Sequence, residues 1–209
     1  MTWLQKVQKS FERAVLPTPE DRIELFQLAV ESLTSVGYCH IGLDHFALPE
    51  DELNLALQDG TLHRNFMGYT TRKGASLLGF GASAISTLKQ GFSQNEKDPT
   101  AYNKLIGERE FATVKGYART AEDLWRADLI EQVLCSGTVN FQVLQRTHRG
   151  VMLEIPANLN QFVDDGLIEL EKDGFKLTEL GRYFSRNIAA LFDEYLTKHT
   201  SKNTFSQAV

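Results

Sequence analysis

Between His63 and Lys73 the chain reads HRNFMGYTTRK, and His63, Arg64, Tyr69, Arg72 and Lys73 crowd into that short stretch. Arg64 offers a planar fork of donors suited to a carboxylate, Tyr69 and Thr70 offer hydroxyls, and His63 can donate or accept. Together they suit an anionic ligand with an apolar body. A solvated basic loop has the same composition, so both readings stay open. The run LLGFGASAIS follows at Leu77–Ser86, where Gly79 and Gly81 leave the backbone bare and Ser83 and Ser86 add hydroxyls. A bare backbone admits close approach of a ligand, or equally of a neighbouring strand. The run lacks the third glycine of a dinucleotide fingerprint and the lysine of a phosphate loop.

Asp44 and His45 are adjacent in GLDHFALP. Neighbours on a strand point to opposite faces, so the two act together only where the strand has ended. One reading places them at a strand's C-terminal end, where α/β enzymes carry polar site residues. The other has Asp44 fixing a loop through backbone amides. Asp123, Asp128 and Glu131, on the segment through Trp125, read as a solvated helix face. His40, His45, His63, His148 and His199 share no metal-ligand spacing.

The elements that position these groups follow from capping and periodicity. A first helix is expected over Trp3–Val15. A second starts at Thr18-Pro19 and ends near Gly37, with a broad buried face of Ile23, Leu25, Phe26, Leu28, Ala29 and Leu33. YCHIGLDHFA reads as a buried strand running into a loop, PEDEL opens a short helix ending near Gly60, and Leu77–Ser86 reads as a second buried segment. Strand, helix, strand in that order points to the end of an α/β unit. Further on, Thr120 and Asp123 form a capping box for a helix ending at Gly137. A helical stretch around Leu153–Asp165, a hairpin with Asp173-Gly174 at its tip, and a helix from Thr178 to about Lys198 complete a winged-helix-like order. A boundary is expected near residues 108–115, separating 1–112 from 113–209.

Composition narrows the classes. The 209 residues carry a net charge of −5, which disfavours a general nucleic-acid surface. Thr138–Thr200 holds seven Lys/Arg against nine Asp/Glu, so its winged-helix-like order lacks the basic face DNA requires. Two distant cysteines, Cys39 and Cys135, are too few for a disulfide framework or a cluster site of their own, and fit a reduced, cytoplasmic protein. No stretch approaches a membrane span, and the N-terminus is no secretory signal.

Five motifs occur in order: DHFALPEDEL, LHRNF-x-GYTT, LLG-x-G-x-SAIS, Gln94-Asn95, and GR-x-x-x-RNI-x-x-x-FD-x-YL over Gly181–Leu196. As a set they closely resemble the C-terminal half of the oxygen-independent coproporphyrinogen III oxidases (coproporphyrinogen dehydrogenases), radical S-adenosylmethionine (SAM) enzymes of haem biosynthesis. The resemblance implies a terminal portion of a partial (β/α) barrel followed by a mainly helical domain. It implies an oxidative decarboxylation turning two propionates of coproporphyrinogen III into the vinyls of protoporphyrinogen IX. It assigns Ile85, the isoleucine of SAIS, to a second SAM molecule, and leaves His63, Arg64 and Tyr69 as candidates for the substrate's propionates.

The departures carry equal weight. The family's [4Fe–4S] cluster sits on a C-x-x-x-C-x-x-C motif in its other half, and Cys39 and Cys135 do not occupy those positions. The resemblance therefore implies a fragment, inactive without the missing cluster-binding radical-SAM half, with that half or another copy of the chain as its partner. Met67 stands where the family has glutamine, Leu43 where methionine is commoner, and Ala127 where a second arginine is common. The alternative is a non-enzymatic porphyrin-binding or interaction protein.

Overall fold

A computed structural model describes residues 16–74, 76–150, 155–156 and 158–198. The helix expected over Trp3–Val15, and residues 151–154 and 157 of the stretch expected near Leu153, lie outside them. Helix α1, Pro19–Ser35, starts where capping chemistry places it: Asp21 N–H donates to the Thr18 hydroxyl and Thr18 N–H to the Asp21 carboxylate. Its expected broad buried face is corrected to a narrow stripe of Phe26, Val30 and Leu33, spaced i, i+4, i+7. Leu25 and Leu28 stand 56% and 58% exposed, because no described element covers that side.

YCHIGLDHFA is a hairpin. Strand β1, Cys39–Gly42, turns at Leu43-Asp44 and returns antiparallel as β2, His45–Ala47. Helix α2, Glu52–Gln58, is capped by the Asp51 carboxylate. HRNFMGYT makes a second hairpin, β3 (His63–Asn65) and β4 (Gly68–Thr70), around Phe66-Met67. The expected strand over Leu77–Ser86 begins only at Ile85; Leu77 contributes a single bridge to Thr87. Strands β5 (Ile85–Leu88), β6 (Gly91–Asn95) and β7 (Thr113–Ala118) form an antiparallel sheet, with helix α3, Pro99–Gly107, inserted before β7. The interval 108–115, where a boundary was expected, follows α3 and takes in the start of β7, the hydrogen-bonded partner of β6. Every strand pairing among the described residues is antiparallel, so the α/β character is a mixture of hairpins and helices.

Helix α4, Ala121–Cys135, carries the predicted capping box and forms the spine. After it come β8 (Thr138–Asn140), α5 (Phe141–Thr147), α6 (Leu159–Asp164), and the hairpin β9 (Ile168–Glu171) and β10 (Gly174–Leu177). The tip is Lys172-Asp173, one residue earlier than the sequence reading. Gly174 already sits in β10, where any Cβ would overlap the Val139 carbonyl of β8. Glycine is needed there for strand approach instead of for the turn. The last helix is broken into α7 (Glu179–Tyr183), α8 (Ser185–Ala190) and α9 (Glu194–Lys198). The breaks let Ile188 and Phe192 both reach full burial.

Two apolar clusters flank α4. Trp125, Leu129 and Val133 pack with Phe175, Ile188 and Phe192, while Cys135 joins Ile41, Ala47, Ala56 and Leu62. One helix thus ties the C-terminal elements to the hairpins that carry the chemical motifs.

Candidate functional site

The β3–β4 hairpin is fastened to α4 by polar contacts. Glu131 Oε1 lies 3.1 Å from His63 Nδ1 and accepts the Arg64 backbone N–H at 3.2 Å. The Tyr69 hydroxyl donates to the Leu134 carbonyl at 2.9 Å, and burial raises the phenol's pKa well above its ordinary range. Gly42 is required beneath it, because a Cβ there would collide with that hydroxyl. His63 and Tyr69 therefore spend polar atoms on docking, whereas the Arg64 guanidinium sits over the Tyr69 ring, 5.8 Å from its centre.

Glu131 is thus engaged by the β3–β4 hairpin, and its two neighbours in that reading are hydrogen-bonded as well. The Asp128 carboxylate accepts a hydrogen bond from His148 Nε2 at 2.7 Å. Asp123 receives the Thr120 backbone N–H and hydroxyl at 2.7 and 2.8 Å. It also accepts the Tyr195 hydroxyl at 2.8 Å and the Tyr117 hydroxyl at 3.2 Å, and the two phenols touch each other. Burial alone would raise the Asp123 pKa, but these hydrogen bonds outweigh it and hold the carboxyl below its ordinary range.

Asp44 and His45 do meet, because the strand has ended: His45 Nδ1 lies 2.9 Å from Asp44 Oδ1 in the β1–β2 turn. The His45 ring stands edge-on to Tyr69, with centroids 5.1 Å apart, and Gly68 leaves it room. The pair therefore braces one hairpin against the other. The glycine run is likewise held by the protein itself. Asn95 Nδ2 donates to the carbonyls of Gly79 and Gly81 at 3.2 and 3.1 Å, Gly81 N–H donates to Tyr102, and Gly79 N–H to Ser86. The Gln94-Asn95 motif is the clamp, with Gln94 Nε2 on the Ser83 carbonyl at 3.1 Å.

Ile85 opens onto a different surface. It lines a groove of about 190 Å³ with Phe66, Phe92, Gln94 and Tyr117, and Phe66 stands edge-on to Phe92 at 5.4 Å. Phe92 and Tyr117 also line a larger cavity of about 400 Å³, whose other walls come from α4 and the chain near Tyr195. Sequence reasoning missed this cavity. Its one local signal was the Asp123 cap, since Tyr117 and Tyr195 reach that carboxylate from distant elements.

The cysteines do not suit an iron–sulfur cluster. Both pack in the small apolar cluster, and burial pushes the Cys135 thiol up to about 12, so it stays protonated at neutral pH. No group of three or more His, Cys, Asp or Glu side chains is placed to hold a metal among the described residues.

His40 provides a pH probe of the hairpin region. Its Nε2 is 2.8 Å from the Leu43 carbonyl, its ring stacks on Phe46, and burial lowers its pKa from the ordinary 6.5. Below that value the unfolded chain takes up a proton that the folded chain refuses. Stability is therefore expected to fall as pH drops through about 6.5 towards the depressed folded value. Urea unfolding at about pH 7.5 and about pH 5.5 should show this loss. In His40→Phe the difference should shrink; an unchanged difference would place the acid sensitivity elsewhere.

Comparison with known proteins follows the same geometry. No family model matches the chain. It is 35% identical to the oxygen-independent coproporphyrinogen III oxidase of Synechocystis, over 99% of this chain and 46% of that protein. The solved coproporphyrinogen III oxidase (HemN) from Escherichia coli, a radical SAM enzyme, matches with a TM-score of 0.81 at 34% identity, covering 90% of this chain and 44% of that one. The chain is homologous to the C-terminal half of the oxygen-independent coproporphyrinogen III oxidases. A relative of that name from Thermostichus vulcanus is 36% identical over 99% of this chain and 65% of its own length. The chain spans about half the length of the curated coproporphyrinogen III oxidases it matches. Of the motifs quoted from the sequence, Phe66, Ile85 and Gln94 line the smaller groove, and Phe192, Asp193 and Tyr195 of the last motif line the larger cavity.

Proposed function

We propose that this chain supplies the C-terminal portion of an oxygen-independent coproporphyrinogen III oxidase, closing a site in which two propionates of coproporphyrinogen III become vinyl groups. The observation that carries this is the match along nearly the whole chain, in sequence and in fold, to enzymes of that name. The [4Fe–4S] cluster that this chemistry uses would be ligated outside these residues, on a radical-SAM half. Ile85 would contact a second SAM. The groove fits such a contact chemically: Ile85, Phe66 and Phe92 offer apolar and aromatic surface, and Gln94 and Lys115 offer polar groups at its rim. SAM cleaved at that cluster would supply the oxidising radical, and Ile85, Phe66 and Phe92 would hold the second SAM.

Within the trio His63, Arg64 and Tyr69, the geometry supports divided roles. His63 and Tyr69 fix the hairpin to α4, and Arg64 keeps its guanidinium available for a propionate. Residues 1–112 would end the catalytic part and 113–209 form the helical part, with β7, paired to β6, as the strand that joins them. The order α4, β8, α5, α6 and the β9–β10 hairpin supports a winged-helix-like module used for structure. No described helix is long and apolar enough to cross a membrane; a cytoplasmic setting is part of the proposal.

The test is the DNA upstream of the Met1 codon. A C-x-x-x-C-x-x-C segment, in frame or one shift away, is expected. Unrelated sequence there would leave porphyrin binding without catalysis as the chain's role.

A further inference from the structure

Arg119 enters the larger cavity at the end of β7, just before the Thr120 cap of α4. Its guanidinium lies over the Phe92 ring, 4.3 Å from the ring centre, and its backbone N–H donates to the Gln90 carbonyl at 2.9 Å. No ion pair reaches it among the described residues. The other charged groups around the cavity are committed. Arg126 bonds Glu122 at 2.6 Å, lies 3.9 Å from Glu194, and donates to the Phe192 carbonyl at 3.1 Å. Asp123 is taken up by Thr120 and two phenols, and Asp193 accepts the Tyr195 backbone N–H at 2.9 Å.

Opposite Arg119 the wall is apolar: Ile130 and Phe192, with Ala127 contributing a single methyl that leaves space open. A guanidinium stacked on an aromatic face keeps its edge N–H groups free, the geometry that takes a carboxylate in two parallel hydrogen bonds. An uncharged apolar ligand would leave those donors unused. A cation would meet acidic groups already satisfied and one unpaired positive charge. The cavity, at about 400 Å³, lies within the range of small-molecule sites.

We infer that this cavity binds a carboxylate carried on a large apolar body, with the Arg119 guanidinium as the carboxylate's partner and Phe92 and Ile130 against the body. Resting on the functional reading above, the body is the tetrapyrrole and the carboxylate one of its propionate arms. The arm would then sit in the cavity that shares Phe92 and Tyr117 with the Ile85 groove. The propionate candidates inferred from side-chain chemistry in the sequence, His63, Arg64 and Tyr69, lie on the β3–β4 hairpin and not at the end of β7.

Two probes separate the site from that reading. The full chain is titrated with coproporphyrin III, followed by porphyrin fluorescence, and with 3-phenylpropionate, followed in every variant by the ring resonances of Tyr117 and Tyr195 and in the parent also by the Arg119 Nε–H resonance. Both are expected to bind. Arg119→Met should weaken each by about tenfold or more, the factor a lost hydrogen bond to a charged group is worth. Arg119→Lys should recover part of the loss, and a porphyrin without carboxylates should be indifferent to either change. Phenylpropionate shifting Arg119 while coproporphyrin fails to bind would keep the carboxylate site and sink the tetrapyrrole reading. Coproporphyrin binding that Arg119→Met leaves unchanged would overturn the site and spare that reading. Binding of neither probe would overturn the site as well.

Discussion

Phe175→Ala is expected to cost about 3–5 kcal/mol of folding stability, the range for deleting a fully buried aromatic side chain. Phe175 is fully buried in β10, the middle strand of the sheet ordered β8-β10-β9. Its ring stacks on Phe192 at 6.0 Å with planes 9° apart, and lies 6.0 Å from Phe141. It thereby joins α5, the sheet and the turn after α8 in one cluster with Trp125 and Ile188. Because strand and helices close on the ring from several sides, the site cannot collapse around an alanine, and the cavity adds to the lost transfer energy. Phe80→Ala and Phe111→Ala are the controls: at 89% and 94% exposure they should change stability by about 0.5 kcal/mol or less. Urea unfolding followed by tryptophan fluorescence reads all three, since Trp125 lies in the same cluster. A Phe175→Ala loss no larger than the controls would mean the cluster is not the core of the fold.

Ile85→Asp should lower the activity of the chain joined to a radical-SAM half by about a hundredfold, through an uncompensated charge set between Phe66 and Phe92. Folding should change little, because Ile85 is only partly buried and its β5 backbone pairing with Gln94 survives. Ile85→Val keeps the apolar surface and should stay within a few-fold of the parent. Equilibrium binding of SAM separates the explanations: Ile85→Asp should hold one equivalent less than the parent. Full activity with unchanged SAM stoichiometry would remove Ile85 from the cofactor site.

Local chemistry was legible in the sequence where the residues that decide an element are neighbours. Thr18 with Asp21 and Thr120 with Asp123 begin their helices as capping boxes require. Gly174 shows the limit of that reasoning. The Asp-Gly pair signals a hairpin correctly, but the glycine's reason is the carbonyl of Val139, thirty-five positions away in sequence. The same holds for Glu131, whose helix position looks solvated until the β3 hairpin, 68 residues earlier, lies down on it. Asp123 hides in plain sight as a cap, while its second role depends on a phenol from β7 and another from α9. Helix α1 was misread in the opposite direction. Its apolar residues mark a face meant to be covered, but no described element meets Leu25 or Leu28. An unpartnered face of that kind fits a chain that corresponds to less than half of its Synechocystis and Salmonella relatives.

The candidate site was legible in part. Motif order led to Ile85 and to the β3–β4 hairpin, and the structure sets Ile85 in a groove beside Phe66, the residue at the hairpin's turn. Arg119 carries no motif and no spacing; only its place over Phe92, without an ion pair among the described residues, draws attention to it.

The most direct measurement is anaerobic conversion of coproporphyrinogen III by this chain fused behind the cluster-bearing half of the Escherichia coli enzyme. Product is followed as protoporphyrin after oxidation. The account predicts SAM-dependent formation of protoporphyrinogen IX by the fusion and none by either half alone. A fusion that holds its cluster and cleaves SAM, yet leaves coproporphyrinogen untouched, would contradict it.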